Sequence, residues 1–179
     1  AALVKIVNRG QNLGFFGANN IYWRVHPEPS VASPTELRVN RQDHADLFID
    51  QHPPLSEEEI MGAGTGCINI FSGKLSVSDH STSLFAGLAQ GDRRNVPGLA
   101  VKEVDNAEAM HRGVQRHILA STGPQDCKSR RGRGTAGTVS METLSSGAGV
   151  FVAGGMGFAC AVWKASACPW QFHATEQST

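Results

Sequence analysis

Two imidazoles and three carboxylates lie within ten residues of this chain, Asp43-His44-Ala45-Asp46-Leu47-Phe48-Ile49-Asp50-Gln51-His52. On an extended strand His44, Asp46, Asp50 and His52 point to one face, because side chains alternate with period two. Nitrogen and oxygen ligands of this kind suit a divalent transition metal such as zinc, iron or manganese, with His44, Asp46 and His52 as the ligand set. An open position on such an ion activates a water. The same groups also serve as general acids and bases, which makes His44, Asp46, Asp50 and His52 the catalytic candidates. On a straight strand at roughly 3.3 Å per residue, His44 and His52 stand about 26 Å apart, so one ion takes both only if the segment bends. The plainer reading is a solvated acidic edge around a buried Leu47-Phe48-Ile49 anchor.

A second constellation is the loop Lys128-Ser129-Arg130-Arg131-Gly132-Arg133-Gly134. Lys128, Arg130, Arg131 and Arg133 place four positive charges in six residues. Arginine forks match phosphate or sulfate, and the glycines let a ligand approach the backbone. Nucleic acid, a nucleotide or an acidic polysaccharide fits this loop as an anionic ligand. No aromatic side chain is interleaved, so the loop holds no stacking platform for single-stranded bases. A solvated surface loop is the plainer reading.

Other motifs fail on spacing. The glycine run at 62–66 precedes a strand, whereas a phosphate cradle follows a strand and opens a helix. Gly73-Lys74 ends like a P-loop, but Leu75 stands where a hydroxyl is required. Ser78-Asp79-His80-Ser81 has the residue types of nucleophilic catalysis without the Gly-x-Ser-x-Gly elbow. Cys67 opens an apolar strand and reads as core more readily than as a nucleophile. His111 and His117, six residues apart, do not share a helical face.

These side chains need a scaffold, and the longest uncharged apolar stretch is the one to organise it. Residues 149–163, GVFVAGGMGFACAVW, read as a β-hairpin turning at Gly154-Gly155. Small residues recur at Gly149, Ala153, Gly157 and Ala161, as on a packed transmembrane helix. Against a membrane span stand four glycines between 149 and 157 and the absence of Leu and Ile from the run. Strands are expected at 2–7, 21–25, 35–39, 99–104 and 135–144, with a second hairpin over 67–78 turning at Ser72-Gly73. Residues 56–61 read as one or two helical turns, with Ser56 as N-cap and acids in the first turn. The spacing of Ala107, Met110, Val114 and Ile118 predicts an amphipathic helix over 105–120, opened by Asp105 and Glu108 as a capping box.

The 179 residues favour a single domain over the whole chain, 1–179. With 40% apolar and 18% charged residues the chain can bury a core. Its 20 glycines and 8 prolines favour a β-rich fold. Net charge is zero, so any hold on nucleic acid or an anionic membrane comes from a local patch and not from a global field. The four cysteines have no Cys-x-x-Cys spacing, which disfavours a structural zinc site. Cys160 with Cys168 and Cys67 with Cys127 is one disulfide arrangement, and free buried cysteines fit equally. No Asn-x-Ser/Thr sequon is present, which removes one sign of secretion, and no charged-then-apolar leader is seen; a soluble protein is expected, cytoplasmic or secreted.

The expectation is therefore a single-domain, β-rich α+β fold of antiparallel sheet, with a hairpin at 149–163 and one amphipathic helix at 105–120. Two functions follow from the two constellations. The first is a hydrolase or lyase acting on a small polar substrate through His44, Asp46, Asp50 and His52, with or without a metal. The second is a binding or assembly protein. Its basic loop grips an anionic ligand, and its acidic 43–59 region pairs with a neighbouring subunit of a homo-oligomer.

Overall fold

The computed structural model describes residues 2–18, 20–21, 23–27, 37–38, 47, 57–86, 96–107, 115–124 and 136–158. Within it, residues 38, 65–73, 96–102 and 124 are described by their backbone alone. The elements in order are α1 (Ala2–Asn8), β1 (Leu13–Phe15), β2 (His26–Pro27), β3 (Leu37–Arg38), α2 (Glu57–Met61) and β4 (Ala63–Val77). A 3-10 turn at Ser83–Phe85 follows, then β5 (Val96–Ala107), β6 (Gln115–Pro124), β7 (Ala136–Thr143) and β8 (Gly149–Val152). The fold is β-rich α+β, as expected. Six strands form one sheet in the order β1-β8-β7-β6-β4-β5, and β2 pairs with β3 in a small second sheet. The main sheet is mixed, because β1 joins β8 in parallel while its other pairings are antiparallel.

Alternation along β7 and β8 separates two apolar clusters. On one face Val150 and Val152 pack with Val7, Met61, Ala63, Leu144 and Ala148, under the two helices. On the other, Val139 packs with Leu75, Val77, Phe85, Val104, Leu119 and Phe158, and Phe151 leans against them. Each fully buried valine or leucine contributes about 1.5–3 kcal/mol relative to exposure. The sheet also curls toward closure. Just beyond β8, Gly155 sits opposite Val104 of β5. The Asp105 N–H donates to the Gly154 carbonyl at 2.9 Å, and the Met156 N–H donates to the Glu103 carbonyl at 3.2 Å. The free edge of β5 thereby finds backbone partners in the residues after β8.

Several expected elements are corrected. Of the hairpin expected at 149–163, the described residues show the first arm alone, β8. Both hydrogen-bonding edges of β8 are occupied, by β7 and β1, so no edge remains for a return strand. Met156 and Gly157 form a turn instead, and residues 159–163 lie outside the described residues. The true hairpin partner of β8 is β7, joined through a turn in which Leu144 N–H donates to the Ala148 carbonyl at 2.9 Å.

The helix at 105–120 is also overturned. Asp105 to Ala107 end β5, and Gln115 to Ala120 lie in β6. Asp105 is fully buried within β5, and its N–H serves the closing rung to Gly154. Residues 108–114 lie outside the described residues. Conversely, residues 2–7 form a helix, not a strand. Leu3, Val4 and Val7 recur at helical spacing, and the helix stops at Gly10. There Gln11 N–H donates to the Ile6 carbonyl and Gly10 N–H to the Val7 carbonyl, the Schellman pattern.

The hairpin over 67–78 is one continuous strand, because Gly73 is absorbed as a bulge against β5. The glycine run at 62–66 contains the bend only at Gly62; Ala63 already opens β4. Among the described residues of 21–25 there is a bridge, Trp23 to Leu47, and no strand. The helical turn at 57–61 and the strand at 99–104, within β5, stand as expected, and the strand expected at 135–144 is β7 over Ala136–Thr143. Cys67 lies on β4 by its backbone; its side chain, and Cys127, Cys160 and Cys168, lie outside the described residues. Among the described residues no helix is long and apolar enough to cross a membrane.

Candidate functional site

His44, Asp46, Asp50 and His52 lie outside the described residues, as do Lys128, Arg130, Arg131 and Arg133. The one described residue of the 43–52 segment is Leu47, which is buried and bridged to Trp23. Its burial agrees with its expected role as apolar anchor. Among the described residues no group of three His, Cys, Asp or Glu side chains is placed to hold a metal ion.

What the described residues do bring together is an ion pair that spacing alone did not reveal. Glu142 of β7 stands directly opposite Arg116 of β6 in the strand register. Arg116 Nε donates to Glu142 Oε1 at 2.5 Å, and Arg116 Nη2 pairs with the same oxygen. Glu142 is 1% exposed and Arg116 15%. The register also sets Glu142 beside Val150, so the carboxylate lies on the apolar face that α1 and α2 cover.

Gly62 makes room for it. This residue ends α2 with φ +73°, and a Cβ built there would lie 2.6 Å from the Glu142 carboxyl carbon and 2.8 Å from Oε1. Any larger residue at 62 would displace the carboxylate. Glu142 Oε2 is buried as well and receives no hydrogen bond from the described residues.

Burial pushes the Glu142 carboxyl above the ordinary carboxylate value, and the hydrogen bond and charge of Arg116 offset that only in part. A carboxyl so poised holds its proton more readily than a solvated one, a shift in the direction that general acids and bases use. The same geometry also serves as a structural tie. It ties β6 to β7 at the level of Gly62.

The segment Ser78-Asp79-His80-Ser81 closes the chain after β4. Asp79 Oδ1 accepts from the Ser81 N–H at 2.8 Å and from the Ser81 hydroxyl at 2.6 Å. The Ser78 and Asp79 N–H groups both donate to the Leu119 carbonyl. Those serine hydrogen bonds hold the Asp79 carboxyl below its ordinary value, with smaller help from the charges of His117 and His80. Its carboxylate is engaged in a turn.

Arg116 and Glu142 escaped the sequence reading because Arg116 fell inside the expected helix. The available signal was the alternation Thr138, Ser140, Glu142 along a strand whose neighbours are apolar. An inward-facing acid in such a strand requires a cation across the ladder.

No curated protein matches the chain. A family model described as "N,N-dimethylformamidase beta subunit-like, C-terminal" matches residues 1–168. That span is nearly the whole of the 179 residues. The chain belongs to this hydrolase-related enzyme family.

Proposed function

We propose that this chain is part of an enzyme that hydrolyses the amide bond of a small polar substrate, with simple N-substituted formamides as the first class to test. The observation that carries the reading is membership, over residues 1–168, of a family named for a dimethylformamidase. The lyase alternative has no comparable support.

Amide hydrolysis needs a water made nucleophilic and a proton delivered to the departing amine. Imidazole and carboxylate groups supply both, and His44, Asp46, Asp50 and His52 are the densest set in the chain. A divalent transition metal held by His44, Asp46 and His52 would supply an activated water when bound. Each turnover on N,N-dimethylformamide consumes one water, breaks the C–N bond, and yields formate and dimethylamine.

The test follows amine release from N,N-dimethylformamide and from formamide by the purified protein, with elemental analysis of the same sample. The His44→Ala/His52→Ala double variant is assayed in parallel. We expect amine release that falls at least about 100-fold in the double variant, the range typical of losing an acid–base group. Wild-type protein inert toward simple amides would overturn the amidase reading. Turnover undiminished in the double variant would overturn the residue assignment alone.

A further inference from the structure

We draw no further inference here: the strongest candidate, the exposed Phe16 ring packed on half-buried Phe151 and buried Phe158 beside β1 and β8, is an apolar patch for which nothing in the structure shows what covers it.

Discussion

Glu142 is buried in its charged form only at a cost, and Arg116 is the one described side chain that hydrogen-bonds it. Arg116→Met would leave a carboxylate alone in an apolar setting. We expect a loss of about 3 kcal/mol at neutral pH, the lower end for a broken buried pair because Arg116 keeps some contact with water. The pH dependence has a definite sign. Glu142 titrates above its ordinary value in the folded chain, so its contribution is fully present below the unfolded value and is lost as pH rises through the folded one. Removing Arg116 removes both influences that hold the folded value down, which moves that loss further upward in pH. Urea unfolding at about pH 5 and about pH 8 should therefore show the larger deficit at the higher pH. A deficit equal at both would mean that the charge on Glu142 is not what Arg116 stabilises. Glu142→Gln keeps an oxygen acceptor for Arg116 and discards the charge. It should cost only about 1 kcal/mol and flatten the pH dependence.

At the scale of elements, legibility followed local completeness. The helical turn at α2 carries three acids in its first turn and two buried apolar residues, Ile60 and Met61, so its signal lies within five residues. β5 and β7 are rich in alternating or β-branched residues and were readable for the same reason. The reading failed where a partner distant in sequence decides the outcome. Val114 and Ile118 fit helical spacing, yet β6 forms because β7 offers it a ladder from Gln115 to Pro124, interrupted by two bulges. Gly73 resembles a turn, yet β5 extends past it and turns it into a bulge. Gly154 is the sharpest case. It looked like a hairpin turn, and its φ of +61° does need glycine, but its neighbours are not its own strand. A Cβ there would strike the Thr138 carbonyl oxygen and lie 2.9 Å from that carbonyl carbon and 3.3 Å from the Asp105 carbonyl oxygen. Backbone on both sides leaves nothing that can yield. Gly154→Ala should cost more than about 3 kcal/mol, strain and overlap together. Gly123→Ala is the control: its φ is +69° with nothing within 4 Å, so it should cost only about 1 kcal/mol. Equal losses in urea unfolding would mean that closure against β5 and β7 contributes nothing beyond backbone strain. The candidate site was the least legible part. His44 and His52 are candidates by residue type alone, whereas Glu142 and Arg116 meet only through strand register, which no local window contains.

At the scale of the whole molecule, the two apolar clusters share strands. β7 gives Val139 to one face and lines the other with Glu142, and β8 gives Phe151 to one and Val150 and Val152 to the other. The closing rung from Asp105 to Gly154 joins the far edge of the sheet to the end of β8. Neither cluster can therefore lose its order without breaking strands that serve its neighbour. This argues for a single cooperative unit, the thermodynamic content of the single-domain expectation. The consequence is measurable with two truncations on opposite faces. Val139 is 0% and Val150 1% exposed. Each Val→Ala change removes two methyl groups and leaves a small cavity, a loss of about 2 kcal/mol. If the sheet is one unit, both variants shift the same urea transition to lower midpoint with an unchanged slope, and tryptophan fluorescence and far-ultraviolet circular dichroism coincide throughout. If the faces were separate bodies, Val139→Ala would split the transition while Val150→Ala moved only its other half. Two non-coincident curves in either variant would overturn the single-unit reading.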